Sequence, residues 1–162
     1  MAQPERVVSL EPPASEPEFE LRARRRGLAG TEFEIWQLPS SATPHITTPM
    51  RVAGLKGRNL QLVEHRVLKR LAAAGVAPSS RADGKARGHR LTEDLALNLG
   101  LLFRVLAPMR SRDNMRAVTE GVEAMDREEA AYWLGMAMHR KNPRRVLTAL
   151  RVLLTMPKRK AR

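Results

Sequence analysis

The stretch Leu91–Ala107, LTEDLALNLGLLFRVLA, decides the fold, because between Leu95 and Ala107 only Asn98 and Arg104 are polar. At about 100° per residue, its apolar side chains surround a helix on nearly every side. A membrane span needs roughly 20 apolar residues, so this stretch is too short to cross a bilayer. The sequence therefore predicts a helix at the centre of a soluble helical core, covered by the rest of the chain.

The composition limits the classes of protein to which the chain can belong. Its 162 residues are 43% hydrophobic and only 4% aromatic, which fits one domain with a core of Leu, Val, Ala and Met. Such a core favours helices over a β-sandwich. The chain has no cysteine, which excludes disulfides, thiolate metal sites and cysteine nucleophiles and is typical of a reducing cytoplasm. The first residues lack the basic start and apolar run of an export signal, so we expect a cytoplasmic protein without membrane association.

Two runs with alternating polar and apolar residues precede the helices, Phe19–Arg26 and Thr31–Leu38. Alternation with period two is typical of strands that bury one face. In one antiparallel register the facing pairs are Arg24 with Glu32, Arg22 with Glu34, Leu21 with Ile35, and Ala23 with Phe33. One face of the pair is then charged and the other apolar, so the sequence predicts a β-hairpin in this register.

Helical spacing and capping residues predict about five helices after the hairpin. They run at about Asn59–Ala74, Leu91–Ala107, Asp113–Met125, from Asp126 to the residue before Asn142, and Pro143–Thr155. Pro39–Arg58 is predicted as a loop with room for a short strand at Met50–Ala53, and Pro78–Arg90 as a polar, mobile loop. The predicted fold is mainly α (α+β), a compact helical domain of about five helices with a small N-terminal antiparallel β-hairpin. We expect it to span residues 18–157, between a flexible leader at 1–17 and a basic tail at 158–162.

The net charge of +12 is unevenly distributed along the chain. Residues 1–50 carry a net charge of −2, residues 51–110 one of +8 and residues 111–162 one of +6, counting Lys and Arg against Asp and Glu. Charge of this size favours association with polyanions through phosphate contacts. A coding bias is the alternative, because 23 of the 29 basic residues are arginine in a chain rich in Ala, Leu and Val. Charge alone leaves both explanations open.

The last predicted helix separates apolar from basic residues most clearly. Its apolar stripe contains Val146, Leu147, Leu150, Leu153 and Leu154, with Arg144, Arg145, Thr148 and Arg151 on the opposite side. Basic residues before this helix and after Pro157 continue the charged surface, and the polar loop at 78–90 supplies four more. The candidate nucleic-acid-binding residues are therefore Arg81, Lys85, Arg87, Arg90, Arg140, Lys141, Arg144, Arg145, Arg151, Lys158, Arg159 and Lys160. The alternative for each of them is a solvated side chain without a ligand.

Residue patterns of known catalytic and metal sites are missing from the sequence. The four histidines occur singly, and the chain has no HExxH, no GxSxG and no Walker lysine motif. The acidic residues are scattered over the polar sides of predicted helices. We therefore expect a protein without catalytic activity, metal or cofactor.

Two stretches carry a resemblance to other proteins. They are EEAAYWLGMAMHRKNPRRVLTALRVLLT at residues 128–155 and ITTPMRVAGLKGRNLQLVEHRVLKRL at residues 46–71. Both resemble a family of uncharacterised bacterial proteins of unknown function. The resemblance implies no activity and no catalytic residue, but small proteins of this kind can act as accessory subunits beside larger DNA-processing enzymes.

Charge and motifs together predict a non-catalytic accessory protein that binds nucleic acid, DNA or RNA, through a basic helical face. The rival hypothesis is a protein-interaction adaptor with no nucleic-acid contact, whose apolar surfaces, including the central helix, are completed by a larger partner. Val152 on the basic side of the last helix fits that rival.

Overall fold

The computed structural model describes residues 16–25, 31–56, 58–76, 87–139 and 143–155. In this part of the chain the elements are β1 (Glu18–Arg25), β2 (Thr31–Leu38), β3 (Met50–Leu55), α1 (Arg58–Ala73), β4 (Arg87–Leu91), α2 (Glu93–Leu106), α3 (Arg112–Glu123), α4 (Arg127–Met138) and α5 (Pro143–Thr155). The five helices lie close to their predicted bounds. The predicted basic tail, and all of the predicted leader before Glu16, lie outside the described residues.

The strands form one antiparallel sheet in the order β3-β2-β1-β4. The predicted register of β1 on β2 is confirmed, since Leu21 faces Ile35 and Arg24 faces Glu32. Because side chains alternate along a strand, this register turns the apolar residues of both strands toward the helices. Phe33 and Ile35 are completely buried there. The charged residues of both strands form the outer face of the sheet.

The predicted small N-terminal hairpin is wrong, because the sheet has four strands and packs at the centre of the fold. β3 pairs with β2, with a shift of register between Ile35 and Trp36, and β4 pairs with the other side of β1. Both added strands are short, and β4 carries a single apolar residue, Leu91, which is buried. Edge strands of this kind are commonly short and charged, so their apolar alternation is weak. The α+β class stands, with a central sheet in place of the hairpin.

Helix α2 is apolar all round because it is covered on both sides. One side packs on the inner face of the sheet, where the rings of Phe103 and Phe33 stack with centroids 6.2 Å apart. The other side packs against α3, α4 and α5. At Gly100 a Cβ atom would meet a methyl group of Leu134 at 3.3 Å, so the missing side chain allows α4 to approach closely. The predicted central helix is confirmed, but it is central to a sheet-and-helix core rather than to an all-helical one.

Helix α1 carries the chain from β3 at one edge of the sheet to β4 at the other. It buries Val63, Val67 and Leu71 in the common core and ends before Gly75, which has a positive φ of 79° as expected of a glycine C-cap. Among the described residues, no helix combines the length and the apolar character that crossing a membrane requires.

Candidate nucleic-acid interface

Helix α5 presents arginines to solvent on the side away from the core. Leu150 is fully buried, whereas Arg145 and Arg151 are exposed. The burial therefore follows the predicted separation of an apolar from a basic side. Leu153 belongs to the predicted apolar stripe, but its side chain is 54% exposed. The expectation that the whole stripe faces the core is therefore wrong. The surface that α5 buries is thus narrower than its apolar stripe.

Most of the other candidate residues fall where their side chains are not described. Arg81, Lys85, Arg140, Lys141, Lys158, Arg159 and Lys160 lie outside the described residues. Arg87 and Arg144 are described as backbone positions in β4 and α5 only. The described candidate side chains are therefore those of Arg90, Arg145 and Arg151.

Arg90 does not lie in a loop, which corrects the prediction for the end of the 78–90 stretch. It belongs to β4, pairs with Glu20 across the β1–β4 ladder, and its guanidinium makes an ion pair of 3.2 Å with Glu18. A mobile loop that orders on phosphate is therefore excluded for Arg87–Arg90. Arg90 also points to the outer face of the sheet, away from the helices, so it does not extend the α5 surface.

The outer face of the sheet carries cations matched by acids. The Nε of Arg22 lies 2.7 Å from Glu20, and the same guanidinium stacks over the ring of Trp36 at 4.2 Å. Arg51 lies 3.2 Å from Glu34. Exposed ion pairs of this kind stabilise a fold weakly, and they leave little unbalanced charge for a polyanion. The outer face is therefore a weak candidate for a nucleic-acid interface, apart from Arg51, which also lines a groove at the edge of β3.

An open groove of about 560 Å³ lies between the edge strand β3, the C-terminal end of α2 and α5. Two arginines, Arg51 from β3 and Arg104 from α2, line it together with small and apolar residues. Leu147 of α5 forms part of its wall, and Arg151 follows Leu147 by one helical turn. None of the described residues that line this groove is acidic. Arg151 is therefore next to the groove, whereas Arg145 lies about 160° from Leu147 around the helix and faces away from the groove.

Arg104 is fixed in this groove by a hydrogen bond from its Nε to the main-chain carbonyl oxygen of Val52, at 2.6 Å. Burial lowers the pKa of the Arg104 guanidinium below its ordinary value, and the positive charge of Arg51 lowers it further. No carboxylate offsets these two effects in the described part of the chain. Arginine nevertheless stays protonated at neutral pH, so Arg104 gives the groove a positive charge that no described carboxylate offsets.

A second polar cluster, at the junction of α1, α2 and α3, has its charges largely paired. Arg66 lies 2.6 Å from Glu123, and Arg70 donates at 2.5 Å to the amide oxygen of Asn98. Burial lowers the pKa of Arg70, while the charge of Glu123 raises it and that of Arg66 lowers it. Asn98 in turn donates to the carbonyl oxygen of Val122 at 2.8 Å. This network joins three helices to one another, so we assign it a structural role.

No group of His, Cys, Asp or Glu among the described residues has the geometry of a metal site.

The stretch of the chain from Phe19 to Met156 matches the model of one family, which is described as a domain of unknown function, DUF7680. The chain belongs to the DUF7680 family. The family region begins in β1 and extends to the residue after α5, so it contains the sheet, the groove and the basic side of the last helix. No curated protein and no solved structure matches the chain. The resemblance to a family of unknown function is thereby confirmed.

Sequence patterns missed Arg51 and Arg104 as candidate residues. Arg104 did carry a signal, since it is the only charged residue between Leu95 and Ala107. A charged residue is rarely buried in a helix that is apolar all round unless a partner or a ligand balances it. Arg51 carried no comparable signal, because its place beside Arg104 depends on how β3 packs against α2.

Proposed function

We propose that this protein is a non-catalytic nucleic-acid-binding accessory protein of the cytoplasm, which contacts the phosphate backbone through a basic surface. The surface consists of Arg145 and Arg151 on α5 and the adjoining Arg51–Arg104 groove. The observation that carries the proposal is the positive charge of Arg104, which no carboxylate of the described residues offsets, next to a helix whose described arginines face solvent. Contacts with phosphates position a protein on a strand without reading its sequence.

The net charge of +12 and the absence of cysteine support the same proposal. Binding of a polyanion by a basic protein releases counter-ions, which contributes much of the affinity at low salt. A chain without thiols needs no disulfide and suits a reducing compartment. Because the contacts proposed here involve no reacting group, a larger DNA-processing enzyme is the kind of partner that would supply catalysis.

A salt titration tests this proposal. Wild-type protein and the double variant Arg145→Ala/Arg151→Ala are titrated against a labelled oligonucleotide at several salt concentrations. The logarithm of affinity should fall with the logarithm of salt concentration for the wild type, and the slope of the variant should be flatter by roughly 1.4 on single strands or 1.8 on duplex if two phosphate contacts are lost.

The matched control is Arg112→Ala/Arg116→Ala, which removes the same charge from two exposed positions of α3. If α5 is the contact surface, this control should change the slope by much less. Equal slopes for the two double variants would mean that net charge alone drives binding. Absence of binding by the wild type at low salt would contradict the proposal.

The second candidate function is a protein-interaction adaptor, and exposed apolar side chains favour it. Tyr132 and Met136 lie one turn apart on α4 with 61% and 40% of their surface exposed, and Val152 of α5 is 50% exposed. The central helix no longer supports this rival, because the sheet and the other helices bury it. Changing Tyr132 and Met136 to Ser should abolish capture of a protein partner under the adaptor hypothesis and leave nucleic-acid affinity unchanged under the first.

A further inference from the structure

The groove between β3 and α2 has the features of an anion site. The two charged residues among its described lining are arginines, whose guanidinium groups can form paired hydrogen bonds with a phosphate. The volume of about 560 Å³ falls within the range of small-ligand sites, which is about 300–1,000 Å³. The remaining lining includes Ala107, Pro108 and Leu147, which offer apolar contacts beside the charges.

The main chain holds Arg104 in place, and a side-chain ion pair holds Arg51. The hydrogen bond from Arg104 to Val52 attaches its guanidinium to the strand and leaves the two terminal nitrogens as donors. The guanidinium of Arg51 lies directly over Gly54, where a Cβ atom would collide with it. Arg51 also keeps one bond to Glu34 on the outer face of the sheet. Arg51 and Arg104 therefore line the same groove, and none of the described residues that line it with them is acidic.

The recessed position of Arg104 favours a single strand over a duplex. Its side chain is half-buried between a strand and a helix, whereas the phosphates of a duplex follow the outside of a stiff double helix. A duplex can reach the exposed arginines of α5, but a single strand can enter a groove of this size with one nucleotide. The apolar walls offer contact to an unstacked base, although no described residue of the lining supplies the aromatic stacking found in other sites for single strands.

We propose that Arg51 and Arg104 bind one backbone phosphate of a single-stranded nucleic acid in this groove. The neighbouring nucleotides then run toward Arg151 on α5. This inference rests on the proposed function and assigns its site: the groove holds the strand, and α5 adds further phosphate contacts.

The test uses the full-length protein and a labelled single-stranded oligonucleotide of mixed sequence. Arg104→Gln should weaken binding about tenfold or more, because it removes a charge-assisted contact, and should flatten the salt slope by about 0.7. Arg116→Gln, an exposed arginine of α3 that does not line the groove, is the matched control and should change affinity less than about twofold.

Two further variants separate binding from folding. Arg104→Lys keeps the charge but loses the forked geometry, so the salt slope should remain while affinity falls. Arg51→Gln should weaken binding as Arg104→Gln does, and it tests the site if the Arg104 variant does not fold. Unfolding midpoints in urea check that each variant is folded.

Three outcomes would overturn the inference. If Arg104→Gln and Arg51→Gln bind single strands as tightly as Arg116→Gln does, the groove is not the site, although α5 remains a candidate surface. If unlabelled duplex competes as well as unlabelled single strand, the assignment to single strands is wrong. If the wild type binds no oligonucleotide while pyrophosphate raises its thermal midpoint in an Arg104-dependent way, the groove takes a free phosphate compound, and the proposed function fails as well.

Discussion

The Nε of Arg104 donates a hydrogen bond of 2.6 Å to the carbonyl oxygen of Val52. This bond joins the last turn of α2 to the edge strand β3 at Val52, the residue that is left without a partner where the register against β2 shifts. Backbone at such irregularities commonly has carbonyl groups free from the strand ladder, and these accept side-chain donors. The same bond fixes a positive charge beside the groove, so a structural feature of the sheet also positions the proposed ligand contact.

Replacing Arg104 by Met should change the free energy of unfolding by no more than about 1.5 kcal/mol. The variant loses one hydrogen bond but also removes a half-buried charge that no described carboxylate balances, and these effects oppose each other. Arg70→Met is the comparison, and it should cost more, about 1–3 kcal/mol beyond the Arg104 change, because the buried oxygen of Asn98 loses its donor. Urea unfolding of both variants measures the difference, and a larger loss for Arg104→Met would make Arg104 a structural residue.

Asn98 should be among the polar residues whose loss destabilises the fold most. Its amide accepts from Arg70 and donates to the carbonyl oxygen of Val122, and its side chain is buried. Asn98→Leu leaves Arg70 without its acceptor and removes the side-chain donor to Val122, whose carbonyl oxygen keeps the bond from the backbone N–H of Met125. It should lower the free energy of unfolding by about 2–4 kcal/mol. Asn98→Asp keeps an acceptor for Arg70 but loses the donor to Val122, so its loss should be smaller. Equal midpoints for the wild type and Asn98→Leu in urea would contradict this explanation.

Local sequence patterns predicted the strands β1 and β2 and the starts of the helices. The charged and apolar alternation of β1 and β2 contained their register, since shifting it by one residue would turn the apolar residues to solvent. Asp126 accepts a hydrogen bond from the backbone N–H of Glu129 at 2.8 Å, as the capping pattern predicts. Helix bounds followed from the same kind of signal.

Long-range contacts decided the features that were missed. β4 pairs with β1 across about 70 residues, and its sequence, RGHRL, carries too little apolar alternation to indicate a strand. The groove brings Arg51 and Arg104 together from elements that are far apart in sequence. Their proximity follows from the packing of α2 on β3, which helix and strand periodicity do not specify. Sequence patterns therefore predicted the α+β class, but the four-stranded sheet and the candidate site could be found only from the tertiary structure.

Gly135→Ala should stabilise the protein by up to about 1 kcal/mol. Gly135 lies in α4 at an exposed position, its φ is not positive, and an added Cβ would meet nothing within 4 Å. Glycine in a helix loses more backbone freedom on folding than alanine does, so the substitution favours the helix. The midpoint of thermal or urea unfolding should rise. A lower midpoint would indicate that another molecule, such as a second copy of the chain, packs closely against Gly135 in the folded state.

Gly54→Ala should weaken binding of single strands while leaving stability nearly unchanged. A methyl group at this position would occupy the space that the guanidinium of Arg51 now fills. The obstacle is the end of a flexible side chain, so Arg51 should move aside at little cost, and alanine is at least as good as glycine in a strand. We expect a free energy of unfolding within about 1 kcal/mol of the wild-type value, as is usual for tolerated substitutions. We also expect a several-fold loss of affinity. Gly135→Ala is the matched control, because it also adds one methyl group but lies outside the groove. Unchanged affinity in Gly54→Ala would show that the position of Arg51 over Gly54 is not required for binding.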